Sequence, residues 1–241
     1  MEGRAGGCRG LASASVFMDS ECHGTSNRGR FKIRVANRHD LLRQAQELLN
    51  DRYARRGYPA QTFHPSGDKL TLVAYEDNTA RGTLTVQVDA GGGLLCDGSY
   101  ANELNALRAQ GHRLCEFIRL ATLACTSPSA ALAALFQVAF IYAHELRHCS
   151  DAVIEVNPRH VSFYVRLLNF EQIGTSRSNP RVGAPGVLLR CRLAALGSRL
   201  LELRSASARQ RVRSVCARPF SEMKASAVRW RLLAQLFAKQ E

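Results

Sequence analysis

Residues 157–170, NPRHVSFYVRLLNF, decide how this chain folds. They follow a short apolar run, Ala152 to Val156, that only Glu155 interrupts. Such a run, closed by Asn157 and Pro158, predicts a strand leading into a helix N-cap with proline at the first helical position. Phe163, Tyr164, Leu167 and Leu168 then fall three or four apart, which predicts a short helix with one apolar face. A return strand is expected near Phe170, after the Leu168-Asn169 corner. A unit of this kind can hold the Tyr164 phenol beside a cofactor thiol. An ordinary strand–helix–strand unit with an interfacial tyrosine fits the same residues.

The flanking sequence extends the pattern. Residues 1–30 are rich in Gly, Ser, Ala and Arg without a period and are expected to form a flexible tail. Phe31 to Val35 alternates as a strand. Asn37 to Asp40 opens a helix with Leu41, Leu42, Ala45, Leu48 and Leu49 on one face. It runs into Arg52, Tyr53 and Arg56 and stops near Gly57. Leu70–Tyr75 and Gly82–Val88 flank the turn pair Asp77-Asn78 and predict an antiparallel hairpin. Tyr100 to Gln110 reads as a helix ended by Gly111, and Leu114 to Cys125 as a long, kinked strand. Ser127-Pro128 opens a long helix that ends near Arg147, and a final strand is expected at Val187 to Leu193. These elements predict an α/β domain over 31–200, a mixed central sheet with helices on both faces. A basic helical extension over 201–241 follows, its amphipathic part at 226–239 carrying Trp230, Leu233, Leu236 and Phe237.

The 241 residues and a hydrophobic fraction of 46% permit a substantial core. The longest apolar region, Ala130 to Ala143, contains Gln137 and is too short to span a bilayer, so a buried helix is expected. Asp19 and Glu21 arrive too early for a secretory signal, and a cytoplasmic protein is expected. Its eight cysteines are then free thiols, and no two are spaced as C-x-x-C. Cys115, Cys125 and Cys191 lie in apolar runs, where cysteine serves as a small buried hydrophobe. His144 and His148 stand four apart in HELRH, a spacing that could make a metal edge; a solvated helix end is the expected reading, and no metal is expected. The net charge is +13, and residues 204–241 hold nine basic and two acidic side chains. Such a surface suits an acidic protein partner or an anionic membrane surface, peripheral to the inner membrane. No nucleic-acid-binding module is recognisable, so a nucleic-acid partner is not expected.

Three blocks carry a resemblance. The first is Arg52-Tyr53 with Gly57-Tyr58. The second is CEFIRLAT, Cys115 to Thr122, in which Glu116 and Arg119 form Glu-x-x-Arg. The third is Asn157 to Phe170. The third block looks like the last helical motif of the GCN5-related N-acyltransferase (GNAT) fold. Residues 31 to about 194 resemble the long-chain N-acyl amino acid synthases, relatives of the acyl-homoserine-lactone (autoinducer) synthases.

The resemblance implies a fold in which two central parallel strands splay to admit a pantetheine arm. In a regular strand, residues three apart face opposite ways, so Glu116 and Arg119 need a bulge to act together. Amide formation requires a base for the amine, donors for an oxyanion and an acid for the leaving thiolate. By similarity Glu116 is the base and Tyr164 the acid; charge pairing inside the fold is the other reading of Glu116. Arg52, Tyr53 and Arg119 fall near the active cleft in relatives, where arginine suits the carboxylate of an amino acid acceptor. Acyl-CoA enzymes of the fold carry a glycine-rich pyrophosphate loop after the central strand. Here Cys125 to Leu135, CTSPSAALAAL, has no glycine. Ser127, Ser129 and Asn157 are left to bind the donor, and acyl carrier protein, with its single phosphodiester, is expected over coenzyme A. Alanines 130, 131, 133, 134 and 139 leave a slot for a fatty tail or simply permit close packing. The expected activity is transfer of a medium- or long-chain acyl group to the amine of an amino acid. A lactone-signal synthase, an acetyl-CoA-dependent N-acetyltransferase and a non-catalytic binding protein are the alternatives.

Overall fold

The chain is described by a computed structural model over residues 31–64, 66–123 and 128–197, together with residues 226, 228, 229 and 232. Alternation builds the first half of the sheet. Strand β1, Phe31–Val35, buries Phe31, Ile33 and Val35 on one face and pairs antiparallel with β2, Lys69–Glu76. Asp77 and Asn78 have φ of 47° and 64°, the left-handed pair whose twist matches a tight hairpin. They join β2 to β3, Thr79–Val88. Strand β4, Leu114–Thr122, lies antiparallel to β3 and parallel to β5, Asp151–Val156. Beyond β5 come two short strands, β6 (Glu171–Gln172) and β7 (Arg177–Asn179), and the long β8, Ala184–Arg192. The order is β1-β2-β3-β4-β5-β8-β6, with β7 on β8.

Helices cover both faces, as the patterning predicts. Helix α1, His39–Ala54, buries Leu42, Ala45, Leu48 and Leu49 with Val73 and Tyr75 of β2. Helix α2, Asp97–Ala109, places Tyr100, Leu104 and Leu107 beside Leu114, Val153 and Leu188. On the opposite face α3, Pro128–Phe140, packs Ala131, Ala134, Leu135 and Val138 with Leu72, Leu84, Val86 and Phe117. Helix α4, Val161–Leu168, adds Tyr164 and Leu168 to the same cluster.

Local departures have physical causes. No side chain caps α1; Arg38 instead grips Asp40 at 2.9 Å across the first turn. Helix α2 starts at Asp97, earlier than expected, and Tyr100 leaves helical dihedrals where its hydroxyl donates to the carbonyls of Thr175 and Gly186 at 3.0 and 2.7 Å. Helix α3 continues as a wider π-helical segment, Ile141–Leu146. The expected return strand after Phe170 shrinks to two residues. Strand β4 ends at Thr122, short of Cys125.

The tail 1–30 and nearly all of 201–241 lie outside the described residues, as do Trp230, Leu233, Leu236 and Phe237. The four described residues of that region are helical. Val228 and Leu232, one turn apart, are buried within the main core, and Arg229 pairs with Glu145 of the π-helical segment. Among the described residues, no helix is long and apolar enough to cross a membrane. Leu232 is 0% exposed, so Leu232→Ala should lower unfolding free energy by about 2–4 kcal/mol in a urea titration. An unchanged midpoint would show that this side chain is not part of the core.

Candidate active site

The sheet opens where β4 and β5 part. Their parallel pairing covers only Leu114 with Asp151, Cys115 with Ala152 and Glu116 with Val153. Beyond that point β4 follows β3 and β5 follows β8. A cavity of about 170 Å³ lies between the diverging ends, walled by residues 117–120 of β4 and 154–156 of β5.

A bulge brings Glu116 and Arg119 to this one cavity. Thr85 faces Ile118 and Thr83 faces Ala121, so Arg119 and Leu120 share the single place opposite Leu84. Arg119 takes up the extra residue with φ 55°, a left-handed conformation. Its guanidinium donates to the Thr62 carbonyl at 3.0 Å and lies 4.1 Å from the Phe63 ring centre. Burial lowers its pKa from the ordinary arginine value.

Glu116 is 0% exposed. The Cys96 N–H donates to its Oε2 at 3.1 Å, while Oε1 has no hydrogen-bond partner among the described residues. Burial pushes the carboxyl up to about 7, against the opposing pull of Arg181 and of the backbone at Cys96. Across the cleft Tyr164 packs edge-on to Phe163 and Phe170, with centroids 5.1 and 5.9 Å away. Burial raises its phenol above the ordinary value, so it stays protonated near neutrality. Tyr53 stacks edge-on with Tyr58 at 5.4 Å, and both line the cavity.

Of the residues singled out from sequence, Tyr53, Glu116, Arg119, Asn157 and Tyr164 line this cavity together. Asn157 is also the cap expected of it, its side chain accepting from the Arg159 N–H at 3.2 Å. Arg52 occupies the last turn of α1 and is not in the lining, whereas its neighbours Tyr53 and Arg56 are. Ser127 lies outside the described residues, and so does the side chain of Ser129. The alanines of α3 pack rather than open a slot: Ala131, Ala134 and Ala139 are buried in the main core, and no described residue of α3 lines the cavity.

Sequence reasoning missed a second carboxylate and its counter-ion. Arg181, in the turn between β7 and β8, donates to Glu155 Oε2 at 3.0 Å. A Cβ on Gly186 would overlap the Glu155 carboxylate, so only glycine lets β8 pass so close. Two signals were available: Glu155 interrupting an apolar strand, and the turn residues Asn179, Pro180 and Gly183. The discounted HELRH string does spell H-E-x-x-H, the pattern of helical zinc sites. The π-helical turn and His148 at φ 52° take the second histidine off the helix. His144 Nδ1 lies 3.1 Å from the Cys149 carbonyl, and Glu145 is held by Arg229. Among the described residues no three His, Cys, Asp or Glu side chains gather as a metal site.

A mixed sheet splayed at the parallel β4–β5 pair, with a buried carboxylate and a tyrosine at the opening, is the GNAT-type acyltransferase fold. The chain belongs to the N-acyl amino acid synthase FeeM family, whose sequence profile matches residues 44–192, and it is an acyltransferase. It is similar to the solved structure of FeeM, an N-acyl amino acid synthase from uncultured soil microbes, with 29% identity and a TM-score of 0.65 over 70% of this chain and 94% of that one. The AHL synthase LasI shares the fold at 15% identity and a TM-score of 0.53, over 68% of this chain and 91% of that one. No curated protein sequence matches the chain.

The expected donor ranking is corrected. Solved structures similar to the chain include an acyl-CoA N-acyltransferase from Pseudomonas aeruginosa, at 13% identity over 66% of this chain and 97% of that one, TM-score 0.47. They also include a spermidine N-acetyltransferase from Vibrio cholerae in complex with CoA and spermine, at 13% identity over 69% of this chain and 97% of that one, TM-score 0.46. Placing acyl carrier protein ahead of coenzyme A does not stand. The physical error is plain: a helix N-terminus presents N–H groups to phosphate without glycine, so a glycine-free segment does not exclude a diphosphate.

Glu116 also makes stability depend on pH. Its folded pKa of about 7 stands above the ordinary 4.5, so the folded state keeps a proton that the unfolded chain has lost between these values. Stability falls as pH rises through that window, by a total on the order of 3 kcal/mol above it. Glu116→Gln removes the charge, and its Tm at about pH 8 should match or exceed the parent's, with the advantage gone near pH 5. Thermal unfolding at both pH values checks this; a variant less stable at both would mean the carboxylate holds the fold together.

Proposed function

We infer that the chain transfers an acyl group from a thioester to the amine of an amino acid, giving an N-acyl amino acid, with coenzyme A as the carrier to be tested first. The carrying observation is Glu116: a buried carboxylate lining the cleft and titrating near neutrality, one oxygen of which has no partner among the described residues. An amino acid arrives as its ammonium form. Glu116 takes that proton, and the freed amine attacks the thioester carbonyl. The negative charge that develops on the carbonyl oxygen is met by backbone N–H groups of the splayed strands, which have no neighbouring strand on that side. As the tetrahedral intermediate collapses, the C–S bond breaks and the Tyr164 hydroxyl donates its proton to the thiolate. Arg119, without a carboxylate partner among the described residues, is suited to the acceptor's carboxylate. Arg56, also in the lining, is a second candidate for that task. Glu155 is a poorer base because one of its oxygens is already engaged by Arg181.

A second reading, a short-chain N-acetyltransferase, is favoured by one observation. The cleft of about 170 Å³ is small, and no described residue of α3 lines it. A long acyl tail gains about 0.8 kcal/mol for each buried methylene, and only where there is space to bury it.

Incubation with acetyl-, octanoyl- and dodecanoyl-coenzyme A and pooled amino acids, followed by mass spectrometry, separates the readings. N-acyl amino acid products support the first; acetyl products alone support the second; no product from any donor overturns both. With the preferred pair, Glu116→Gln should lower kcat by about 10²- to 10⁴-fold. The parent's kcat/KM should climb with pH and level off above about 7 as Glu116 loses its proton. Arg119→Lys should raise KM for the acceptor more than it lowers kcat, because a point charge replaces a two-pronged donor. If Glu116→Gln and Tyr164→Phe both retained near-parental kcat, this assignment of roles would fail.

A further inference from the structure

A larger cavity, about 680 Å³, opens at the other end of the β4–β5 pair, where Leu114 stands opposite Asp151. Small-molecule sites commonly span about 300–1,000 Å³. No described residue lines both this cavity and the acyl-transfer cleft. Val88 and Leu114 give it an apolar wall, and Asp89, Arg108, His112, Arg113 and Arg147 supply its ionisable side chains.

These side chains fall into two sets. Arg108 is matched in place, held at 2.7 Å by Asp89 and by Asp97. His112 is engaged at both ring nitrogens, Nδ1 at 2.8 Å from Asp151 and Nε2 at 3.2 Å from a guanidinium nitrogen of Arg190. Arg113 and Arg147 have neutral partners instead. Arg113 donates to the Arg147 carbonyl at 3.0 Å, which holds the two residues at one rim. Arg147 donates to the Tyr142 hydroxyl at 3.0 Å, and its guanidinium lies 5.7 Å from the centre of that ring. Neither arginine meets a carboxylate among the described residues. A neutral partner fixes a guanidinium in position without cancelling its charge, and each guanidinium has five N–H donors to offer. Two cations therefore stand oriented and unopposed on one wall.

Backbone forms another wall. The glycine-rich turn at 89–93 is fastened at both ends: the Asp89 N–H donates to the Leu114 carbonyl at 3.1 Å, and the Gly93 carbonyl accepts from the Gln87 amide at 3.0 Å. Gly91 and Gly93 take φ of 90° and 75°, which glycine adopts without strain. Ala90, Gly91 and Gly93 line the cavity, and their N–H groups meet no acceptor among the described residues. Backbone N–H groups left open in such turns make seats for anions.

We propose that this cavity binds a small soluble phosphate monoester. Arg113 and Arg147 grip the phosphoryl oxygens, the glycine turn adds N–H donors, and the carbon part of the ligand lies against Val88 and Leu114. The charges match: a monoester carries about 1.5 to 2 negative charges near neutral pH, and two guanidiniums answer them. A carboxylate would leave one cation unmatched. The planar fork of arginine suits phosphoryl oxygens geometrically as well. A phospholipid headgroup presents the same chemistry, and the experiment separates the two sources.

The test is calorimetric titration of the full chain with phenyl phosphate, glycerol 3-phosphate and benzoate at constant ionic strength. One phenyl phosphate should bind per chain, saturably, with an affinity that falls as salt is added. Benzoate should bind more weakly. Arg113 is exposed and in no ion pair among the described residues, so Arg113→Gln should melt like the parent. It should weaken phenyl phosphate by about tenfold or more, the usual loss for one charge-assisted contact. Arg147→Gln should act in the same direction; because Arg147 touches the buried Tyr142, Arg113→Gln decides should that variant fail to fold. Arg43→Gln, an exposed α1 arginine outside the cavity, should leave the affinity unchanged. No saturable binding of either ester, or binding that Arg113→Gln leaves as it was, overturns the site. Benzoate binding as tightly as phenyl phosphate overturns the phosphoryl class. Phosphatidylcholine vesicles containing phosphatidic acid are sedimented with the chain in parallel: retention that Arg113→Gln abolishes, without binding of the soluble esters, overturns the soluble ligand in favour of the headgroup.

Discussion

Two parallel strands cannot diverge without giving up the hydrogen bonds between them, and buried backbone groups must find partners or face a cleft. In this chain β4 and β5 hold together for three residue pairs and then part. The sheet survives because each strand keeps its outer neighbour: β4 stays on β3, and β5 stays on β8 as far as Val156. Only the inner edges are released, and they wall the cavity. The bulge at Arg119 follows from the same divergence. A left-handed arginine is unfavourable by about 1–2 kcal/mol, which the antiparallel ladder on either side of it can sustain. Its effect is to turn Glu116 and Arg119 to one side.

The two buried carboxylates of the cleft differ because their partners differ. Glu155 is held by a guanidinium, which offsets part of the burial that raises its carboxyl too. Glu116 accepts from the Cys96 N–H and has no ion-pair partner among the described residues, so less opposes the burial that raises it. Hydrogen bonds from neutral donors offset only part of the desolvation of a charge, and the carboxyl ends up where it can exchange protons near neutral pH. Arg181 thus has two effects, a strong one on Glu155 by contact and a weaker one on Glu116 through space.

Much of this was legible in the chain. The alternation of Phe31, Ile33 and Val35, the Asp77-Asn78 pair and the Asn157-Pro158 cap each specify local structure by simple sterics and hydrogen bonding, and each element formed where its residues point. The Glu116–Arg119 spacing set the condition for a shared cleft, a bulge in β4, because only an inserted residue lets both share a face; the bulge is there. What stayed hidden depends on contacts far apart in sequence. Strand β7, Arg-Ser-Asn, has no apolar period and exists because β8 supplies its ladder, so Asn179 and Arg181 did not register as cleft residues. Arg52 and Tyr53 adjoin in sequence, but a helix turns about 100° per residue, and only Tyr53 reaches the cavity. The alanines of α3 looked like room for a ligand; Ala131, Ala134 and Ala139 are instead buried within the main core.

The burial of Val228 and Leu232 in the main core bears on how the chain is made. Translation delivers residues 31–197 first, and the side chains that complete the core about thirty residues later. At about 5–20 residues per second this is a wait of roughly two to six seconds. During it the apolar surface that these two side chains cover stands open beside the ribosome. The last step of folding would then be the docking of Val228 and Leu232 onto a core that residues 31–197 have already built.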